Sequence, residues 1–150
     1  MLQHIETWLG TGKWDVIHFN SGLHDLRYLP SGQRLAPRAE YEENLRKLVG
    51  RLKQTGANII FAMTTPIPER QAERGAKMRK PGDEKIYNAI AIKVMAENGV
   101  QINDLHAYAL PRLQELQIPD DLHFTDAGSA ALAEQVAESI RVTLVIRRKL

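Results

Sequence analysis

The stretch Asn-Ile-Ile-Phe-Ala-Met at residues 58–63 decides the fold class of this chain. It is apolar on both faces rather than alternating, and it stops at the Thr-Thr-Pro of residues 64–66. Such runs are typical of strands in a parallel sheet that helices cover on both sides. Residues 14–20, Trp-Asp-Val-Ile-His-Phe-Asn, predict a second buried strand, and residues 99–104 predict a shorter third one.

Amphipathic helical patterns separate these strands. Between the first two strands, the apolar residues of 41–52 recur at helical spacing, and Gly56 follows as a stop signal. Residues 83–98 carry two neighbouring apolar lines and end at an Asn-Gly pair. Thr125 is a suitable N-cap for a final helix, and residues 142–146 fit either its extension or a further strand. The order β–α–β–α–β–α predicts one three-layer α/β domain over residues 1–150.

Composition excludes several classes of protein. The 150 residues include 20 Lys and Arg against 18 Asp and Glu, a formal charge of +2, and the basic residues form no stripe that would follow nucleic acid. The absence of Cys excludes disulfide scaffolds, thiolate nucleophiles and cysteine metal sites. We find no apolar run long enough for a membrane span and no signal peptide, so a cytoplasmic location is the default expectation.

Polar residues follow the first predicted strand, where open α/β sheets bind their ligands. Gly22 allows close approach of the backbone to a ligand, and Asn20 and His24 could donate hydrogen bonds to a developing oxyanion. The same residues also suit a strand-end turn that satisfies local backbone groups. The segment 66–81 has a length typical of functional or mobile loops.

Asp120 and His123 lie just before the last predicted helix. At this spacing the Asp can accept a hydrogen bond from Nδ1–H of the His, which leaves Nε2 free as a general base. An isolated Asp-x-x-His is more often an Asp that caps a turn beside a partly exposed His. Convergence of His24, His123, Asp25 and Asp120 on a metal ion is a further possibility, but no helical ligand pair supports it.

The two loops together resemble the SGNH (GDSL-type) hydrolase family, in particular a bacterial esterase branch. Residues 22–25, Gly-Leu-His-Asp, resemble the third block of the family, Gly-x-Asn-Asp. Residues 120–123, Asp-Asp-Leu-His, match its fifth block, Asp-x-x-His. Residues 64–68 and 87–89 are similar to the same branch, so the resemblance covers about residues 14–140.

The resemblance implies a fold, an activity and roles for residues. The fold is a flavodoxin-like sheet with helices on both faces, and the activity is hydrolysis of carboxylic esters such as acetyl or short-acyl esters on carbohydrates. No cofactor and no metal are implied. The implied catalytic pair is Asp120 and His123, and the implied oxyanion or substrate-binding residues are Asn20, Gly22, His24 and Asp25.

The chain departs from the family pattern at two places. His24 stands where most of the family has an oxyanion-hole Asn. The family also begins with a strand ending in Gly-Asp-Ser, which carries the nucleophile, and a second block supplies a Gly donor. Only 13 residues precede Trp14, so the sequence resembles a hydrolase that is truncated at its N-terminus. The nucleophile is then Ser21, at the end of the first strand, or a water molecule that His123 activates.

Two functional hypotheses follow. The first is an esterase that acts on a small-molecule ester. The second is a non-catalytic, truncated domain that binds ligand or oligomerises. In the family the absent first strand lies beside residues 14–20, so these residues are expected at an open sheet edge that pairs with another chain. The sequence therefore predicts a homodimer through Trp14–Asn20, with neither nucleic acid nor membrane as partner.

Overall fold

The computed structural model describes residues 1–69 and 78–147. Its three strands form a parallel sheet in the order β1-β2-β3. They are β1 (Val16–Asn20), β2 (Asn58–Ala62) and β3 (Gln101–Asn103). All three predicted strands are therefore confirmed, each slightly shorter than its apolar run.

Six α-helices accompany the sheet within the described residues. The helices predicted over 41–52 and 83–98 are present, and residues 142–146 extend the last helix rather than form a strand. The short helices α1, α4 and α5 were not predicted. The bounds are α1 (Ile5–Leu9), α2 (Arg38–Lys53), α3 (Asp83–Asn98), α4 (Leu105–Ala109), α5 (Leu113–Leu116) and α6 (Asp126–Arg147), with 3₁₀ turns at Leu2–His4 and Leu110–Arg112.

The helices form layers on both faces of the sheet. The crossovers from β1 to β2 and from β2 to β3 proceed in one direction, so α2 and α3 lie side by side on one face. Helix α6 contacts β1 and β2 from the other face. Burial is deepest in β2 and under α2 and α3, where Phe61, Val49 and Val94 are inaccessible to solvent. This arrangement is the expected three-layer α/β fold.

Strand β1 lies at the edge of the sheet, as expected. Its first four residues are only half-buried, whereas β2 is almost wholly buried. Helix α1 packs near this edge through Ile5 and Leu9, and the indole Nε1–H of Trp14 donates to the Leu9 carbonyl at 3.0 Å. A groove of about 300 Å³ runs between α1 and β1, lined mainly by apolar side chains. The β1 edge therefore offers both an open backbone edge and apolar surface.

Within residues 1–69 and 78–147, no helix combines the length and the apolar character that crossing a membrane requires.

Candidate active site

The turn after β1 is held from two sides. The Ser21 carbonyl accepts a hydrogen bond from the Tyr41 hydroxyl at 3.0 Å and another from Thr64 Oγ1 at 3.4 Å. The Ser21 hydroxyl donates to Asp25 Oδ2 at 3.3 Å, which closes the turn on itself. Burial raises the pKa of Tyr41, so its hydroxyl keeps the proton that it donates here. The backbone of the turn is therefore fixed relative to α2 and β2.

Gly22 is required by this turn. Its φ of 138° is a conformation that residues with a side chain rarely adopt. A Cβ atom at this position would lie 2.6 Å from Thr64 Oγ1 and 3.4 Å from the Tyr41 hydroxyl. The glycine therefore permits a close approach between the loops after β1 and β2, as well as any approach to a ligand.

The loop after β2 is fixed by a side chain of α3. The backbone N–H of Thr64 donates to Asn88 Oδ1, and Asn88 Nδ2 donates to the Thr64 carbonyl, both at 2.9 Å. Both residues are almost fully buried. The amide of Asn88 thus satisfies both backbone groups of Thr64 where the strand pairing has ended. From the sequence, residues 87–89 were noted only as similar to the family, and the hydrogen bonds from Asn88 to Thr64 were not predicted.

The loop before α6 is joined to the same end of the sheet. Gln117, which is buried, donates from Nε2 to the Pro66 carbonyl at 3.0 Å. The turn itself closes when the Ile118 N–H donates to the His123 carbonyl at 3.0 Å, and Leu122 packs against the hydrophobic core. The predicted N-cap is confirmed because Thr125 Oγ1 accepts from the Gly128 N–H at 3.0 Å.

His123 contacts a carboxylate, but not the expected one. Its Nδ1 lies 2.6 Å from Asp121 Oδ1, and the same oxygen accepts the backbone N–H of His123 at 3.0 Å. Asp120 makes no such contact within the described part of the chain. It has a positive φ of 60° and directs the chain through a tight turn in which the Asp121 N–H donates to the Ile118 carbonyl at 3.0 Å. The expected Asp120–His123 hydrogen bond is thus replaced by one to Asp121, because this turn brings the nearer carboxylate back over the ring.

The charge state and the hydrogen bonding of this pair are those of a general base with its orienting carboxylate. The backbone and ring hydrogen bonds from His123 hold the pKa of Asp121 below its ordinary value, so the carboxylate is ionised at neutral pH. An ionised Asp121 selects the tautomer with the proton on Nδ1 and leaves Nε2 as the acceptor. The His123 side chain is 82% exposed and the Asp121 side chain is 45% exposed. The pair therefore also fits the alternative interpretation, an Asp that caps a turn beside an exposed His.

The remaining predicted residues lie at the same end of the sheet. Asn20 is the last residue of β1 and is exposed, His24 is exposed in the following turn, and Asp25 is half-buried. Ser21 and Asp25 line a cavity of about 410 Å³ that α2 and the N-terminal residues complete. No hydrogen bond joins Ser21 to His123 within the described residues. The catalytic and oxyanion roles of these residues stay predictions.

No group of three or more His, Asp or Glu side chains within residues 1–69 and 78–147 is placed to hold a metal ion. Of the loop 66–81, only residues 66–69 and 78–81 belong to the described structure. The prediction of a functional loop over this segment therefore lies largely outside the described residues.

The parallel sheet, the Gly turn after the edge strand and the His–carboxylate pair before the last helix agree with the resemblance to SGNH-type hydrolases. The solved structures that this chain resembles belong to that class. An acetyl xylan esterase, AlAXEase, matches with a TM-score of 0.74 and 19% identity, over 93% of this chain and 73% of the other. A lipase/acylhydrolase from Enterococcus faecalis matches with a TM-score of 0.72 and 20% identity, over 93% of this chain and 67% of the other.

Axe2, an acetylxylan esterase from Geobacillus stearothermophilus, matches with a TM-score of 0.69 and 20% identity, over 93% of this chain and 66% of the other. At these identities the likeness establishes the fold. The family profile of the GDSL-like Lipase/Acylhydrolase family matches residues 1–131, which include the first 13 residues that the motifs left out. The chain therefore belongs to the GDSL-like lipase/acylhydrolase family. No curated protein sequence matches it significantly.

Proposed function

We propose that this chain is a hydrolase of carboxylic esters that acts on acetyl or short-acyl esters of carbohydrates. The observation that carries the proposal is the 2.6 Å contact between His123 Nδ1 and Asp121 Oδ1 at the ligand-binding end of the sheet. Membership of the GDSL-like lipase/acylhydrolase family supports ester hydrolysis. The likeness in fold to acetyl xylan esterases favours acetylated carbohydrate as the substrate class.

In this proposal His123 works as a general base. Its Nε2 accepts a proton from the nucleophile as the ester carbonyl is attacked, and the Asp121 carboxylate stabilises the imidazolium that forms. The carbonyl oxygen acquires negative charge in the same step. The side chains of Asn20 and His24 and the backbone N–H of Gly22 are the donors proposed to stabilise that charge. The proton then passes from His123 to the departing alcohol.

Water is the nucleophile that we favour for the chain by itself. The Ser21 hydroxyl already donates to Asp25 Oδ2, and attack by Ser21 would first require that this hydrogen bond be exchanged for one to His123. A water molecule needs only the open Nε2 of an exposed imidazole. General-base catalysis contributes about 10²–10⁴-fold, so the proposal predicts slow turnover rather than the rate of a complete triad.

Hydrolysis of p-nitrophenyl acetate tests the proposal. We expect activity above buffer, a loss of most of it in His123→Ala, and unchanged activity in His4→Ala, which removes another exposed imidazole. Asp121→Asn should lower the rate more than Asp120→Asn if the observed contact is the functional one. Activity that survives His123→Ala would contradict the proposal, and the reverse order of the Asp variants would restore the expected role of Asp120.

The nucleophile is tested separately. Ser21→Ala should keep the wild-type rate if water attacks, and a serine-directed phosphonate should leave the protein mass unchanged. Loss of activity in Ser21→Ala together with a phosphonate adduct on Ser21 would overturn the water mechanism and assign that serine.

A second candidate is a domain that associates with a further copy of itself. It is favoured by the open edge of β1 and by the apolar groove beside it, where Trp8 and Trp14 are 56% and 43% exposed. Unpaired edge strands with apolar surroundings readily pair with another chain. We infer a homodimer in which the segment Trp14–Asn20 lies at the interface between two identical edges.

Light scattering on the eluting protein tests the dimer. We expect twice the monomer mass of 16.9 kDa at micromolar concentration. Trp8→Glu places a charge beside the groove and should give the monomer, whereas Ile92→Glu, at an exposed apolar residue of α3, should leave the dimer intact. A monodisperse wild-type monomer would rule out this association.

A further inference from the structure

Arg79 is an unusual residue because an arginine is largely buried here, beside the turn after β1. The residue is only 8% exposed. Its Nε–H donates to the Leu23 carbonyl at 2.7 Å, and the adjacent Met78 carbonyl accepts the Tyr28 N–H at 2.6 Å. These two contacts hold the guanidinium against the turn that carries Gly22 and His24.

A second arginine belongs to the same region, because Arg27 directly precedes Tyr28, whose N–H donates to the Met78 carbonyl. Arg27 belongs to the same turn region, and its Nε atom is buried with no hydrogen-bond partner among the described residues. Burial, followed by repulsion from Arg27, lowers the pKa of Arg79. These backbone and side-chain hydrogen bonds bring residues 78–79 beside residues 23–28, so two arginines belong to the region of the turn after β1.

No carboxylate within residues 1–69 and 78–147 forms an ion pair with either arginine. The contrast with Arg34 is informative, because that half-buried guanidinium binds Asp83 at 2.7 Å. A buried charge without a counterion is costly, and proteins usually pair it or use it to bind a ligand.

The geometry points to a binding site for an anionic oxygen group, a carboxylate or a phosphate, formed by Arg79 and Arg27 beside the turn at residues 22–25. A guanidinium presents its N–H groups in a planar fork that matches two oxygens of such a group. The functional interpretation of this site rests on the proposed ester hydrolysis, since the anion bound there would be part of an ester substrate that carries a negative charge. Uncharged acetylated sugars would then bind less well than acidic ones.

NMR of the arginine Nε–Hε groups tests the site without any need for catalysis. The 15N-labelled protein is titrated with acetate, with inorganic phosphate and with acetamide, the uncharged analogue of acetate, at constant ionic strength in sodium chloride. We expect the Nε–Hε signals of Arg79 and Arg27 to shift and saturate with acetate or phosphate but not with acetamide. Saturation with only one of the anions identifies the group that the site takes.

Matched variants assign the effect to the arginines. Arg79→Met should weaken anion binding by about tenfold or more, as expected for loss of a charge-assisted hydrogen bond. Lys13→Met, which removes an exposed positive charge elsewhere, should leave it unchanged. If Arg79→Met does not fold by circular dichroism, Arg27→Met provides the same comparison.

Shifts that stay linear and equal for all three solutes, or that persist in the variants, would overturn the site. Hydrolysis of p-nitrophenyl acetate, which carries no charge, is measured on the same samples. If the unsubstituted protein hydrolyses the ester but binds neither anion, this inference alone is refuted. If it binds an anion but does not hydrolyse the ester, only the proposed function is refuted.

Discussion

Replacing Gly22 by Ala is the substitution whose cost follows most directly from the geometry. The new Cβ would lie 2.6 Å from Thr64 Oγ1, well inside ordinary contact distance, at a φ of 138°. An unfavourable backbone conformation costs about 1–3 kcal/mol, and overpacking costs about 1–3 kcal/mol more. We therefore expect Gly22→Ala to lower the free energy of unfolding by about 3 kcal/mol.

Urea unfolding followed by circular dichroism measures this loss. In a chain of this size about 1 kcal/mol corresponds to roughly 2–4 °C, so the melting temperature should fall by about 6–12 °C. Gly32→Ala is the matched control, because Gly32 also has a positive φ, 80°, but nothing lies within 4 Å of its Cβ position. It should show the conformational cost without the clash.

The clash is isolated by a double-mutant cycle with Thr64→Ala, which removes the hydroxyl that the new Cβ would meet. The cost of Gly22→Ala should shrink by about 1 kcal/mol or more in that background. Equal costs for Gly22→Ala and Gly32→Ala, or no coupling to residue 64, would refute the close approach between the two loops.

Two further predictions concern stability. His18 is half-buried, and burial lowers its pKa; its Nε2 also lies 3.2 Å from the Asn103 amide nitrogen, which donates to the neutral ring. His18 binds a proton more weakly in the folded chain than in the unfolded chain. The free energy of unfolding should therefore fall as the pH drops below about 6.5, the ordinary pKa of His. Urea midpoints at pH 7.5 and 5.5 should differ less in His18→Gln, and an unchanged difference would contradict this. Gly128→Ala would place a Cβ 2.0 Å from the Leu116 carbonyl oxygen and should lower the free energy of unfolding by about 3 kcal/mol. Gly50→Ala, with nothing within 4 Å of its Cβ position, should stabilise α2 by up to about 1 kcal/mol. Equal unfolding midpoints for these two variants would contradict this prediction.

The sequence predicted the sheet and its long helices because each has a periodic signal over enough residues. The run at 58–63 is apolar throughout, and α2 and α3 each present 16 residues of helical pattern. Helix α1 has only five residues, of which Ile5 and Leu9 are buried, and two positions define no period. The position of β1 at the edge of the sheet was expected from the family resemblance rather than from any local pattern.

The candidate site was predicted less completely for a different reason. Spacing alone does not choose between two adjacent carboxylates, and the left-handed turn at Asp120 decides that Asp121 meets His123. The hydrogen bonds between Asn88 and Thr64 join residues 24 positions apart, so no local pattern marks them. The burial of Arg79 is invisible in sequence because arginine is usually exposed.

The position of His123 connects the two functional proposals. Its backbone is anchored by Leu122, which packs against the core, and by the Thr125 cap, so the proposed base is held in place before substrate arrives. Its ring, however, is 82% exposed, and in water the stabilisation of charge in a transition state is weaker than in an enclosed site.

Helix α6, which follows His123, contacts β1, the strand whose open edge is proposed to bind a second copy. In the proposed dimer, association along β1 would add protein beside this end of the sheet and would exclude water there. Specific activity should therefore rise with protein concentration through the range in which light scattering records dimerisation, and Trp8→Glu should abolish that rise. A specific activity that is constant across the monomer–dimer transition would show that hydrolysis and association are independent properties of this chain.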